Sequence, residues 1–230
     1  MDTARSTHTA SVLQNGKVLV TGGSNSNGIL KSVELYDPST EMWANTGNMD
    51  TARSTHTASV LQNGKVLVTG GSNRNGVLKS VELYDPSTEM WANIGNMNTA
   101  RTFHTASVLQ NGKVLVAGGL GDTGYLNSVE LYDPSTEMWT NTGNMNNARY
   151  VHTASVLQNG KVLVAGGLGN TGYLNSVELY DPSTEMWTNT GNMSTARVRH
   201  TASVLENGKV LVAGGYNDDG VLNSVELYQS

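Results

Sequence analysis

Short apolar, β-rich runs alternate with turn clusters along this chain. His8-Thr9-Ala10-Ser11-Val12-Leu13-Gln14 leads to Asn15-Gly16 and then to Lys17-Val18-Leu19-Val20-Thr21-Gly22-Gly23. Two such runs joined by Asn-Gly predict a hairpin closed by a two-residue type I′ turn. A third run, Ser32-Val33-Glu34-Leu35-Tyr36, alternates with period two and stops at Asp37-Pro38-Ser39-Thr40. There the preset φ of proline behind an aspartate predicts a type I turn. A short fourth strand centres on Met42-Trp43. No window holds ten residues of helical period without Gly, Pro or a turn cluster, so helical repeats are excluded. The pattern is all-β, with four strands per unit.

The unit recurs every 48 residues. His8, His56, His104, His152 and His200 align, as do Tyr36, Tyr84, Tyr132, Tyr180 and Tyr228. The four tryptophans (Trp43, Trp91, Trp139, Trp187) and four prolines (Pro38, Pro86, Pro134, Pro182) each occupy one repeat position. A fixed period of this length marks an array in which one supersecondary unit buries its faces against its neighbours. Residues 1–230 are therefore read as one domain, with units at about 1–48, 49–96, 97–144, 145–192 and 193–230. Tandem four-stranded antiparallel sheets need cover on both faces, and radial packing supplies it, which predicts a β-propeller. The small Thr9, Ala10 and Ser11 suit a crowded innermost strand, and the large Tyr36 and Trp43 suit the wider outer ones.

Three features spaced along each unit carry a more specific likeness. A di-glycine follows a hydrophobic strand (Gly22-Gly23), a Tyr stands thirteen residues later (Tyr36) and a Trp seven beyond that (Trp43). In this the chain resembles the kelch repeat, over its whole length. The Trp-Asp dipeptide of the other common propeller repeat of this period does not occur. The Gly-Lys-Val-Leu-Val-Ala-Gly-Gly wording is also similar to the galactose-oxidase-like propeller. That group's copper-radical chemistry needs a Tyr crosslinked to a Cys, and this chain has no cysteine.

The fifth unit ends Val225-Glu226-Leu227-Tyr228-Gln229-Ser230, without the Asp-Pro turn or the Trp. The expectation is thus five blades, four of four strands and a last one of three with its outermost strand missing, nineteen strands in all. Val225 to Tyr228 would be an exposed edge with unpaired backbone groups. Three outcomes stay open: a five-bladed ring that tolerates the short blade, a piece of a larger ring, or a homo-oligomer formed through that edge.

Composition narrows the partners. A net charge of −5 argues against a nucleic-acid surface. The longest apolar runs fall far short of a membrane span, and the first residues lack an apolar signal core, so no membrane role is expected and the cytoplasm is the default compartment. Without cysteine there is no disulfide framework and no thiolate site.

Candidate chemistry is mostly repeated chemistry. Gly119-Leu120-Gly121-Asp122-Thr123-Gly124 and residues 167–172 match G-x-G-x-x-G. That motif serves a pyrophosphate through a helix N-terminus, whereas here a strand follows, so both are read as Gly-rich loops and no cofactor is expected. Five equivalent histidines could converge on a metal. Recurrence in every blade points instead to a structural His bonded within or between blades, because catalysis requires different roles from different residues. Glu34, Glu41 and their equivalents are read as solvated or paired strand positions. Arg5, Arg53, Arg101, Arg149 and Arg197 open each innermost strand and would ring one channel mouth. There they would hold an acidic peptide or small anion, or else pair with carbonyls or a carboxylate of the neighbouring blade.

The repeats differ chiefly in two stretches. One is Ser6-Thr7, Ser54-Thr55, Thr102-Phe103, Tyr150-Val151 and Val198-Arg199; the other follows the di-glycine, at 24–29, 72–77, 120–125, 168–173 and 216–221. Antiparallel connections place both at one end of each sheet. Phe103, Tyr125, Tyr150, Tyr173, Tyr216, Arg74 and Arg199 lie in these stretches, and aromatics and Arg are the residue types that anchor interfaces. The leading expectation is a non-enzymatic propeller binding a protein or peptide at this loop-rich face around the Arg-lined mouth. A structural or engineered scaffold with no ligand is the rival, and a sugar- or metal-acting enzyme a more distant one.

Overall fold

The computed structural model describes residues 1–229, and these form strands and turns throughout. In the first repeat, β1 (Thr9–Val12), β2 (Val18–Thr21), β5 (Val33–Asp37) and β6 (Met42–Asn45) make an antiparallel sheet in the order β1-β2-β5-β6, with Val12 opposite Val18, Val18 opposite Tyr36 and Tyr36 opposite Trp43. Between β2 and β5, β3 (Ser24–Asn25) and β4 (Gly28–Ile29) form a miniature hairpin. The plan recurs in every repeat, and the last sheet has three strands, Thr201–Val204, Val210–Ala213 and Val225–Tyr228. The chain is an all-β propeller of five blades. Nineteen blade strands match the expectation. Miniature hairpins after the di-glycines, including those at Leu120–Tyr125 and Leu168–Tyr173, stand where the sequence predicts loops, because two-residue strands are too short to show periodicity.

By contact the described residues divide into two compact units, Met1–Phe103 with Pro134–Trp139, and His104–Asp133 with Thr140–Ser230. In the first unit, Leu13, Leu19, Val33 and Met49 pack with Val66, Val68 and Tyr84 across the junction of two blades. In the second, Leu109, Leu115, Val129 and Leu131 meet Val162, Val164 and Tyr180, and Leu157, Leu163 and Val177 meet Val210 and Val212. The first strands of adjacent blades are in contact within each unit. Val177 is 2% exposed, whereas Val225, at the equivalent position of the last described sheet, is 62% exposed.

Two turn details depart from the sequence reading. In the Asn15-Gly16 turn only Gly16 has positive φ, 82°, whereas a type I′ turn needs two such residues. The loop is longer: Leu13 N–H reaches the Lys17 carbonyl, Gly16 N–H the Leu13 carbonyl, and the Asn15 side chain accepts from Lys17 N–H. The di-glycine has a steric cause. Gly22 and Gly23 have φ of 57° and 91°, and a Cβ on them would lie 2.5 Å from the Arg53 and Ser6 carbonyl oxygens.

Candidate functional site

The identical positions of the repeats build a buried polar layer at the blade junctions. The Arg53 backbone belongs to the blade before it: its N–H donates to the Leu30 carbonyl, and its carbonyl accepts from Gly23 N–H. The Arg53 side chain belongs to the blade after it, donating to the Gly70 and Ser80 carbonyls, to Ser80 Oγ and, at 2.6 Å, to Glu82 Oε1. Arg149 repeats this, with its backbone on Leu126 and Gly119 and its side chain on Gly166, Ser176 and Glu178. Arg197 does the same with Gly214, Ser224 and Glu226. Each arginine therefore stitches two blades together.

The glutamates complete the stitch. Glu34 accepts from Asp2 and Thr3 backbone N–H groups as well as from Arg5, and Glu82, Glu178 and Glu226 accept the equivalent backbone bonds. Burial raises the Glu34 pKa, but the bonds from Arg5, Asp2 and Thr3 outweigh it and the net shift is downward. Glu226 shifts the same way. Burial weakens the Arg53 and Arg149 cations, and Glu82 and Glu178 oppose that loss.

The histidines form a second row of stitches. His56 Nε2 lies 3.0 and 2.9 Å from Thr9 and Thr21 Oγ1 of the preceding blade, and His152 and His200 meet Thr105 and Thr153 in the same way. Burial, then the Arg53 and His8 charges, drive His56 down to about 3, and burial beside Arg197 drives His200 to about 4. These imidazoles are neutral at any physiological pH. Among the described residues no three His, Asp or Glu side chains gather as a metal would require.

The two varied stretches meet at one end of each sheet. Isolated bridges pair Ser6 with Ser24, Ser54 with Ser72, Tyr150 with Leu168 and Val198 with Tyr216. The residue before each His, namely Thr7, Thr55, Phe103, Val151 and Arg199, has φ between 49° and 55°. That left-handed turn aims its amide at the preceding blade: Thr55 N–H donates to the Thr7 carbonyl, Phe103 to Thr55, and Arg199 to Val151. The backbone makes these bonds in each repeat, and the Thr55 and Thr102 hydroxyls add a side-chain bond between two blades. The side chains are free to differ, and in the second unit they converge. Tyr125 stacks on Tyr150 with centroids 5.0 Å apart and planes 10° from parallel, and Tyr173 meets Tyr216 edge to face at 6.1 Å. Burial raises the Tyr150 phenol, the Tyr125, Tyr216 and Tyr173 phenols add to the rise, and the Arg199 guanidinium opposes it. Five varied side chains thus form one half-exposed aromatic and cationic patch. At the opposite end, Lys17 bridges Asp37 at 3.0 Å beside the constant turns.

A family model, the KLHDC2/KLHL20/DRC7 Kelch-repeats domain, matches residues 7–215. The chain belongs to the kelch-repeat family. The solved structure of YjhT has a similar fold, with a TM-score of 0.79 at 20% identity over 97% of this chain and 81% of that one. No curated protein matches the chain in sequence.

Within this kelch frame the sequence-derived candidates separate into two groups. The five arginines do not line an open mouth. Arg53, Arg101, Arg149 and Arg197 are 0% exposed, and the Arg5 side chain is equally buried against Glu34, so none presents a cation to a ligand. Their carboxylate partner comes from their own repeat, and only the backbone bonds reach the neighbouring blade. Of the two expected roles of the glutamate, solvated or paired, the structure shows the paired one. Both faces of β5 are covered, so the polar member of its alternation is buried rather than solvated, and its link to Arg lay in the constant spacing of 29 residues. The second group stays at the varied end. Tyr125, Tyr150, Tyr173, Tyr216 and Arg199 come together, and exposed Arg74 extends toward the Gly28 turn of the preceding blade. Phe103 lies in the first unit at the left-handed position equivalent to Arg199.

Proposed function

We propose that this kelch propeller is a non-enzymatic binding module that holds a protein or peptide through the varied end of its blades. Tyr125, Tyr150, Tyr173, Tyr216 and Arg199 are its anchors. The observation that carries this reading is their convergence: the positions where near-identical repeats diverge are the ones that assemble an aromatic patch with one guanidinium beside it. Tyr and Arg concentrate binding energy because they offer a large rigid contact area with a polar tip. The family supports an interaction role, kelch propellers being used typically to bind other proteins. The residues with the largest titration shifts support the absence of catalysis, since the His, Arg and Glu groups are repeated in the blades and consumed by blade-to-blade bonds.

Panning a displayed random-peptide library tests the reading. Peptides selected on the wild-type chain should bind a Tyr150→Ala, Tyr216→Ala double variant at least tenfold more weakly. They should bind a Lys161→Ala variant, altered at the constant end, as well as wild type. Selection of no peptides, or of peptides indifferent to the double variant, would favour a purely structural scaffold.

A further inference from the structure

Methionines recur in pairs seven residues apart, Met42 with Met49, Met90 with Met97, Met138 with Met145 and Met186 with Met193, and the fold treats the two members in opposite ways. The first of each pair opens a fourth strand and is 61–66% exposed. The second lies in the connection that follows and is 1–7% exposed.

Strand alternation accounts for the exposed set. Trp43 meets Tyr36 across the sheet with ring centroids 5.1 Å apart, so the side chain before it points to the other face. Its cross-strand partner there is Asp37, whose carboxylate is already engaged by Ser39 and Lys17. Met90 stands in the same way opposite Asp85, and Met186 opposite Asp181. Packing accounts for the buried set. Met49 donates its N–H to the Lys31 carbonyl and sits among Leu13, Leu19, Val33 and Val66. Its methyl closes on the di-glycine: a Cβ on Gly22 would lie 3.0 Å from Met49 Cε, and one on Gly118 or Gly166 would lie 2.9 or 3.0 Å from Met145 or Met193 Cε. An oxygen added to one of these sulfurs would have to enter apolar packing that is already closed.

We propose that Met42, Met90, Met138 and Met186 are reversible oxidation sites through which the protein consumes hydroperoxides without losing its fold. The sulfur lone pair attacks one peroxide oxygen; an S–O bond forms and the O–O bond breaks. The peroxide's own proton passes to the leaving oxygen, which departs as water or an alcohol. Sulfur is oxidised and the peroxide reduced, each by two electrons. Thiol-dependent methionine sulfoxide reductases, one for each sulfoxide epimer, return the thioether, and the oxygen leaves as water while two thiols become a disulfide. The exposed side chains accept the polar sulfoxide because neither oxidation state is packed, whereas sulfoxide in the buried set would disrupt a core. These sites stand beside the constant turns, at the end of the sheets opposite the tyrosine patch, and the proposal does not depend on that patch.

The full chain, treated with dilute hydrogen peroxide and sampled over time by peptide mapping, tests the proposal. Trypsin leaves Met42 and Met49 in one peptide, residues 32–53, so tandem mass spectrometry assigns the oxygen to one or the other. The four exposed methionines should oxidise at least tenfold faster than Met49, Met97 and Met145, and in the urea-unfolded chain the difference should vanish. With all four oxidised the unfolding midpoint should be unchanged, and the two reductases should restore the original mass. A chain carrying Met42→Leu, Met90→Leu, Met138→Leu and Met186→Leu together should fold as wild type and lose most of its peroxide consumption. Equal rates in the folded chain, a lowered midpoint at four sulfoxides, or undiminished consumption by the Leu variant overturns the proposal. So does a product that the reductases do not restore.

Discussion

Arg149 and Tyr150 are neighbours in sequence, yet the rules governing them are opposite. Arg149 is the same residue in all five repeats and is wholly buried; Tyr150 corresponds to Ser6, Ser54, Thr102 and Val198. The arginine spends its side chain on four buried bonds within its own repeat. The tyrosine bonds Leu168 with both its amide and its carbonyl, and its ring stacks on Tyr125 at the half-exposed end of the sheet. Identity at Arg149 therefore tracks a buried side chain with every bond committed inside the protein, and variation at Tyr150 tracks a position whose backbone is paired within its own blade. A varied surface can sit directly on a constant polar layer without weakening it.

The largest effect should come from breaking one stitch. Glu178→Ala leaves the Arg149 guanidinium buried without its carboxylate and should cost about 3–5 kcal/mol in urea unfolding. A loss below about 1 kcal/mol would mean the layer is not structural.

Next in size is a pH effect with a defined sign. The folded-state pKa values of His56 and His200, about 3 and about 4, lie below the ordinary 6.5, and His152 is lowered well below it. Above pH 6.5 both folded and unfolded chains are neutral at these positions and stability is unaffected. As pH falls below 6.5 the unfolded chain takes up protons that the folded chain refuses, and stability drops until the folded pKa is reached. By pH 5 the loss should be roughly 2 kcal/mol for each such histidine. Unfolding free energies at pH 7.5 and 5 measure it, and His56→Gln should remove one share of the decline. A flat profile would contradict the burial.

The smallest effect lies at the varied end. Val151 is β-branched and held at φ 49°, a region such residues avoid. Val151→Asn should raise stability by up to about 1 kcal/mol, read as an upward shift in melting temperature, because Asn tolerates the left-handed conformation and only the backbone is used there. A clear loss would show that the valine side chain contributes to the junction.

The strands were legible because the repeats say the same thing five times: β-rich runs, turn residues and the 48-residue period agree, and the last unit, without Asp-Pro and Trp, forms a three-stranded sheet. The meeting of the two varied stretches was also legible, since antiparallel connections leave no other arrangement. The role of Arg5 and its equivalents was not. Symmetry allows both a cationic rim and a buried stitch, and only three-dimensional packing shows that both faces of the Glu34 strand are covered. The Asn15-Gly16 turn failed for a local reason, because Asn-Gly suits more than one hairpin and the Asn side chain here serves Lys17. The ring pairs of the tyrosine patch, Tyr125 with Tyr150 and Tyr173 with Tyr216, join different repeats through residues that the repeat does not hold constant.

The most direct measurement is the unfolding free energy of two single variants at adjacent positions, Arg149→Ala and Tyr150→Ala. The first should lose about 3–5 kcal/mol or fail to fold cooperatively. The second should stay within about 1.5 kcal/mol of wild type, the worth of one aromatic pair. Equal losses, or a larger loss at Tyr150, would contradict the division between the buried arginine stitches and the varied end of the blades.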